Sequence, residues 1–338
     1  MNKIHEIENL KNLVVIFSNN PKNKLKTTDF RLAERSVSFL NNKEILVQTL
    51  FLSIDAANRA WMQGRTYREQ ITPGQVMSGY AIGKVLKSNN KKFEVGDVVE
   101  GDLGWQKYSV VREADIIKMN AKEDINLYMS VLGISGKTAY FGLELADLKK
   151  GEIFLVSAAA GSVGSIAGQI AKIKGCKVIG ITGSKSKAKF LREELNFDFV
   201  VNYNEKDYIK QILRKYPEKV DVFFDNVGGG IFESSLFSLK NYSRVICCGA
   251  VSQYDTPIPQ NGPRNVPGLI VTKRISMKGF IVTDFKSRSN EAENQLIKWY
   301  REKKILNKVY TFNGLENAPQ ALVNLLNGHN IGKTYVKL

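Results

Sequence analysis

The chain has 338 residues, enough for two domains with a sizeable core, and carries 49 Lys and Arg against 33 Asp and Glu, a net charge of +16. The basic residues are scattered among asparagines with no run of five or six, which points to a solvated basic surface and away from a nucleic-acid partner. No apolar run reaches the roughly 18–20 residues of a membrane span, and three cysteines without regular spacing argue against a disulfide framework.

The N-terminus, MNKIHEIENLKN, is polar and of mixed charge. It lacks the apolar core and cleavage site of a signal peptide, so a cytoplasmic protein is expected. Residues 1–130 read as β-rich. EILVQTLFLSI is apolar and β-branched, and GYAIGKVLKS, VGDVVEG and YSVVREADIIKM are short, glycine-punctuated strand candidates. That spacing suggests a small barrel or sandwich.

The pattern changes at 131. VLGISGKTAYFGLEL looks helical, and the apolar runs EIFLVSA, CKVIGIT, FVVNY, VDVFFDN, SRVICCGA and RISMKGFIV follow, separated by helical periods. Strands alternating with helices imply an α/β fold with a doubly wound parallel sheet. NEAENQLIKWYREKK reads as an amphipathic helix and the tail NIGKTYVKL as a closing strand. The expected division is 1–130 with 305–338 as one domain and 131–304 as the other.

Residues 157–168, SAAAGSVGSIAG, stand between a strand and a helix. The dinucleotide fingerprint G-x-G-x-x-G appears here as Ala159, Gly161 and Gly164. The first position makes the tight turn, which Ala serves if its φ is negative. Gly161 lets the backbone approach a pyrophosphate, and Gly164 lets the helix pack against the strand. Val163, Ile166, Ala167, Ile170 and Ala171 form one apolar helix face, and Gly175 is a natural terminator. The helix N-terminus supplies free N–H groups for phosphate. In NAD sites the second strand ends in a carboxylate that binds the ribose 2′-OH. Here it runs into Gly183 and Ser184, with Lys185 and Lys187 just beyond, so NADP(H) is the expected cofactor. The two histidines, His5 and His329, lie near opposite ends, and no Cys–His cluster exists. Zinc needs three or four such ligands, so no metal site is expected.

Over nearly its whole length the chain resembles the zinc-independent medium-chain dehydrogenase/reductases, in the group of prostaglandin reductases, leukotriene B4 dehydrogenases and plant alkenal double-bond reductases. The residues that carry the likeness are LSIDAANRAWM (52–62), GWQKYSVV (104–111), VLGISGKTAYFGLEL (131–145), AAAGSVGSIAGQIAKIKGCKVIGITGS (158–184), FDNVGGG (224–230), ICCGAVSQYD (246–255), KGFIV (278–282) and NIGK (330–333). The resemblance implies a Rossmann domain beside a barrel-like, GroES-like catalytic domain. It also implies NADPH-dependent reduction of the C=C bond of α,β-unsaturated aldehydes and ketones, small-molecule substrates, in a cleft.

It further places Gly161, Ser162, Val163 and Gly164 under the pyrophosphate, Lys187 at the 2′-phosphate and Tyr203 on the adenosine side. Asn226 and the backbone of Cys248, Gly249, Ser252 and Tyr254 fall along the nicotinamide half. Phe280, Ile281 and Val282 flank the nicotinamide, and Asn330 closes over the cofactor from the tail. Rossmann domains of this group commonly pair through edge strands. RISMKGFIV is the best candidate for such an edge, which implies a homodimer. Two departures bear on substrate size and polarity: Asn58 and Lys137 stand where the family carries apolar residues.

Reduction at the β-carbon of an enone makes its oxygen negative, so a hydrogen-bond donor there lowers the barrier. The α-carbon must then take a proton. Tyr254, in GAVSQYD, matches the family position for the donor and is the first catalytic candidate; Tyr67, in GRTYREQ, is the second. Tyr140 reads as a packing residue, Asp225 as a cap for the next helix, and Cys247 and Cys248 as small core residues on opposite faces of a strand. His329 reads as structural. Two other functions stay open: NADPH:quinone reduction, as in the neighbouring zinc-free branch, and a nucleotide-binding module recruited to nucleic acid, which only the charge suggests.

Overall fold

The apolar, glycine-punctuated N-terminal stretch folds as antiparallel strands in the computed structural model, which describes residues 10–119, 122–255 and 262–338; His5 lies outside them. Lys11–Phe17 (β1) pairs antiparallel with Phe30–Ser36 (β2). Glu44–Ile54 (β3) is the long apolar run, and it pairs with Tyr80–Ser88 (β4) on one side. Val98–Asp102 (β5) continues the sheet from β4. YSVVREADIIKM is two strands, Tyr108–Arg112 (β6) on β3 and Ile116–Lys118 (β7) on β5. A 3-10 turn at Glu113–Asp115 divides them, closed by the Asp115 carboxylate accepting the Arg112 N–H at 3.0 Å. Phe17, Phe30, Leu52, Met77 and Trp105 form the centre of this core, with Phe30 stacked on Trp105 at 5.5 Å. Each such side chain contributes about 1.5–3 kcal/mol on burial.

Between β3 and β4, Ala57–Gln63 forms a short helix, α1. Asn58 is 1% exposed. Its Oδ1 accepts the Asp55 N–H at 2.8 Å and its Nδ2 donates to the Ser78 carbonyl at 3.1 Å. The amide therefore holds the start of α1 against the segment before β4. This departure from the family is part of the fold.

The second half alternates helix and strand: Ile125–Tyr128 (α2), Ile134–Ala146 (α3), Ile153–Val156 (β8), Ser162–Ile173 (α4), Lys177–Thr182 (β9), Lys185–Glu193 (α5), Phe199–Asn202 (β10), Tyr208–Lys215 (α6), Val220–Asp225 (β11), Gly229–Leu236 (α7), Leu239–Cys247 (β12), Val266–Lys273 (α8), Ser276–Gly279 (β13) and Ser289–Arg301 (α9). The six strands form one parallel sheet in the order β10-β9-β8-β11-β12-β13. β8 and β11 are buried at every position, because helices cover both faces of such a sheet. RISMKGFIV is a strand only over Ser276–Gly279. β12 ends at Cys247, so Cys248 lies in the following loop and not beside it in the strand. Lys137, the other departure, pairs with Glu293 at 3.4 Å, joining α3 to α9. Arg288 reinforces the same region, with a two-pronged pair to Glu144 at 2.8 and 2.9 Å.

The chain then adds Val309–Asn313 (β14), Ala318–Leu326 (α10) and Lys333–Lys337 (β15). β15 pairs with β3, giving an antiparallel sheet β14-β15-β3-β4-β5-β7 with β6 on β3. The chain divides into two units. One runs to Ile125 and takes back Tyr310–His329 and Thr334–Leu338; the other comprises Asn126–Val309 and Asn330–Lys333. No helix among the described residues is long and apolar enough to cross a membrane.

Asn58→Leu keeps the volume and removes both bonds. Two backbone groups then lose their partner, at about 1–3 kcal/mol for each that stays buried. The expected outcome is a lower urea midpoint with an unchanged slope; an unaltered midpoint would show that Asn58 is not needed to hold α1.

Candidate active site

The turn from β8 into α4 takes the shape that the fingerprint implies, by a slightly different route. The left-handed residue is Ala158, at φ 47°, one place before Ala159. Ala159 is fully buried and donates its N–H to the Ile181 carbonyl at 3.0 Å, which ties the turn to β9. Gly161, with extended backbone, caps α4, and no side chain among the described residues makes a capping hydrogen bond there. Ser162 and Val163, half-buried, begin the helix. A Cβ on Gly164 would lie 2.4 Å from the Ala158 carbonyl oxygen, so only glycine fits. Gly175, at φ 81°, follows the helix end. The segment 330–333 crosses the turn: Gly332 donates to the Ala160 carbonyl at 2.8 Å, and buried Asn330 donates to Gly332 O at 3.0 Å.

Beyond β9, Ser184 caps α5 by accepting the Lys187 N–H at 3.2 Å. That bond starts the helix so that Lys187 falls in its first turn. Lys185 is exposed, whereas Lys187 is half-buried and makes no ion pair among the described residues. Desolvation lowers its pKa. A half-buried cation in the first turn of a helix suits an anionic ligand. Tyr203, just past β10, lies over Gly183, where a Cβ would stand 2.5 Å from the phenol oxygen.

At the ends of β8 and β11, Asp225 is 2% exposed. Its carboxylate accepts the Ser157 hydroxyl at 2.7 Å and the N–H groups of Val227 and Gly228 at 3.1 and 2.8 Å. Desolvation raises its pKa, and these three bonds oppose the shift. It thus secures the loop just before α7. Asn226 donates its Nδ2 to the Ser157 carbonyl at 2.8 Å. The N–H groups of Cys248 and Gly249 both reach the Asp225 carbonyl, at 2.8 and 3.2 Å, and Ser252 donates its hydroxyl to the Val227 carbonyl at 2.6 Å. Tyr254 is half-buried, and its oxygen accepts the Ala250 N–H at 3.3 Å. No group among the described residues accepts the phenol proton. Burial raises the Tyr254 pKa, so the phenol stays protonated at neutral pH. Burial pushes the Cys247 and Cys248 thiols up to about 11 and about 12, which keeps them protonated and inert.

Phe280 lies against Phe224 and Phe285, with ring centroids at 6.5 and 6.3 Å, and Ile281 and Val282 follow it as the chain leaves the sheet. The parallel-sheet unit thus holds all the positions expected for the cofactor, most of them just after its strands and Asn330 from the tail. Tyr67 belongs to the other unit. Its ring is 54% exposed and its oxygen accepts the Trp61 indole N–H at 3.1 Å. Arg68 stacks on Trp61 at 4.4 Å and pairs with Asp102 at 2.7 Å. Tyr140 donates to Glu291 at 3.1 Å and packs on Phe141. His329 is exposed at the end of α10. Sequence reading missed Ser157 and the span of the Asp225 network. The only signal was the placement of Ser157 at the end of a wholly apolar strand, where a buried hydroxyl requires a partner.

A doubly wound sheet, a glycine-lined turn into a helix N-terminus and a lysine with no ion partner among the described residues suit a dinucleotide. Residues 14–119 match the family described as the N-terminal domain of oxidoreductase, and residues 162–302 the one described as zinc-binding dehydrogenase. The NADP+-dependent 2-alkenal reductase of Nicotiana tabacum is 36% identical over 97% of this chain and 98% of its own. Prostaglandin reductase 1 of Rattus norvegicus is 37% identical over 92% of this chain and 94% of its own. The crystal structure of CurA from Vibrio vulnificus in complex with NADPH superposes with a TM-score of 0.91 at 32% identity, covering 96% of this chain and 98% of that one. The chain belongs to the zinc-independent medium-chain dehydrogenase/reductases, in the group of the prostaglandin and 2-alkenal reductases. Among the described residues, no group of three or more His, Cys, Asp or Glu is placed to hold a metal ion.

Lys187→Ala tests the second-strand reading. NADPH binding is expected to weaken by about 1–3 kcal/mol, the scale of a charge-assisted hydrogen bond, with NADH binding little changed. Equal loss for both cofactors, measured by calorimetry, would remove Lys187 from the 2′-phosphate.

Proposed function

We propose that the protein reduces the C=C bond of α,β-unsaturated aldehydes and ketones with NADPH, and that Tyr254 is its principal hydrogen-bond donor. The observation that carries the reading is the Tyr254 phenol, whose oxygen is engaged by the Ala250 N–H while its own proton has no acceptor among the described residues. Family membership supports the reaction class. NADPH, when held by the residues named below, would supply the hydride.

The chain supplies binding, orientation and a donor. Gly161, Ser162, Val163 and Gly164 present bare backbone to the pyrophosphate, and Lys187 meets the 2′-phosphate. Tyr203 lies on the adenosine side. Asn226, Cys248, Gly249 and Ser252, all fastened to the β8 and β11 loops, shape the nicotinamide half together with Phe280, Ile281 and Val282. Asn330 closes from the tail. As the β-carbon is reduced, charge develops on the carbonyl oxygen of the substrate. A protonated phenol directed there stabilises it without any reorganisation. Only a C=C bond conjugated to a carbonyl delivers its charge to an oxygen, so selectivity follows from the position of the donor. Tyr67 is the second donor. Its oxygen accepts the Trp61 indole N–H.

Tyr254→Phe keeps the ring and removes the donor. Single-turnover reduction of an enal is expected to slow about tenfold, at the lower edge of general-acid contributions, with NADPH affinity nearly constant. An unchanged rate would exclude Tyr254 and leave Tyr67 to be tested.

The proposed assembly is a homodimer in a cytoplasmic setting. β13 ends the parallel sheet with one backbone edge unpaired among the described residues, and all three cysteines are free thiols. Light scattering is expected to give twice the chain mass. A concentration-independent monomer would refute the assembly.

A further inference from the structure

We infer that Asp225 is the counter-charge of the nicotinamide site: its buried carboxylate favours the cationic, oxidised ring over the neutral, reduced one and so assists release of the hydride. The inference rests on the NADPH reading above and concerns the charge of the ring, which that reading leaves without a partner.

Asp225 ends the central strand β11 and is buried. Both of its oxygens are engaged, and every partner is a donor. Ser157 Oγ accepts the Asn226 N–H at 2.8 Å, which leaves the hydroxyl proton for Asp225 Oδ1 at 2.7 Å. Val227 donates its N–H to the same oxygen and Gly228 to the other. A carboxyl group met only by donors has no acceptor for a proton of its own, so this arrangement holds it as the anion. The hydrogen bonds satisfy its oxygens, but none brings a full positive charge. No Lys, Arg or His among the described residues pairs with it. At the other end of the same strand the arrangement differs: buried Asp221 has the Lys240 ammonium as its partner. A buried anion without a counter-ion is costly, and a cation arriving in the site relieves that cost.

The charge lies among the residues read above as shaping the nicotinamide half. Asn226 follows it in the chain, and Cys248 and Gly249 donate their N–H groups to its main-chain carbonyl at 2.8 and 3.2 Å. Its field reaches that loop: after burial, the Asp225 charge is the next cause that pushes up the Cys247 and Cys248 thiols. In the reduction, the C–H bond at C4 of the dihydronicotinamide breaks, and its hydrogen and electron pair pass to the β-carbon. The ring turns from neutral to cationic. The substrate oxygen becomes negative until the α-carbon takes a proton. Tyr254 answers the negative charge as it forms, and a buried anion fixed among the loops of the ring answers the positive one.

The test measures NADP+ and NADPH binding calorimetrically in the full chain as wild type, Asp225→Asn, Asp225→Ser and Ser157→Ala, with melting curves to confirm folding. The two nucleotides differ only in the ring and its charge. Damage to the loops therefore weakens both alike, whereas loss of the carboxylate weakens NADP+ more. Asp225→Asn is expected to lower the affinity for NADP+ relative to NADPH by at least about threefold, the scale of one charge acting across a site of reduced dielectric. Asp225→Ser, smaller and also neutral, carries the same expectation, so either variant decides the matter if the other does not fold. Ser157→Ala removes a hydrogen bond and keeps the charge, and its ratio is expected to stay near that of wild type. An unchanged ratio in the neutral Asp225 variants, with both nucleotides bound equally less well, would overturn the inference and leave Asp225 a holder of loops. An equal fall in the ratio of Ser157→Ala would overturn it too. Failure of the cofactor reading shows differently, as wild type that binds neither form.

Discussion

The buried carboxylate of Asp225 is the constraint on which the site depends. A carboxylate this far from water has to be satisfied locally. It is met by the Ser157 hydroxyl and by two backbone N–H groups of its own loop. Its main-chain carbonyl takes two more N–H groups, from Cys248 and Gly249. One residue thereby joins the loops after three strands, β8, β11 and β12. Those loops carry Asn226, Ser252 and Tyr254, and their register with one another is the register of this network.

Around that hub the polar groups divide into those satisfied within the protein and those left for a ligand. Ser157, Asn226 and Ser252 are engaged with backbone. Among the described residues, the N-terminus of α4, the Lys187 ammonium and the Tyr254 proton have no such partner. The contrast has chemical content, because satisfied groups hold shape while unsatisfied, pre-aimed groups bind charge. Lys187 faces desolvation without a partner ion among the described residues, and burial raises the Tyr254 pKa further above neutral. The same division separates Tyr254 from Tyr140, whose proton is given to Glu291.

Much of the fold was legible in the sequence. β8 and β11 announce themselves as unbroken apolar runs, and α4 shows its face at Ile166, Ala167, Ile170 and Ala171. The phosphate turn was legible from glycine spacing, yet its left-handed residue is Ala158, which spacing does not mark. YSVVREADIIKM reads as a strand candidate because it is rich in β-branched residues; a 3-10 turn closed by the Arg112 N–H donating to the Asp115 carboxylate divides it. RISMKGFIV reads as a long strand, but its ladder ends at Gly279 where β12 ends. Asn58 and Lys137 look like features of substrate choice when set against the family pattern. In the fold each has a partner in its own unit, Asn58 the backbone of Asp55 and Ser78, and Lys137 the carboxylate of Glu293.

The sequence by itself determined the parallel and antiparallel halves, the dinucleotide turn and the missing acid at the second strand, because hydrophobic period and glycine placement are local properties of the chain. The tertiary structure alone decided which polar groups are spoken for. Ser157 and Asp225 are 68 residues apart and Arg288 and Glu144 are 144 apart, and no local pattern records such pairs.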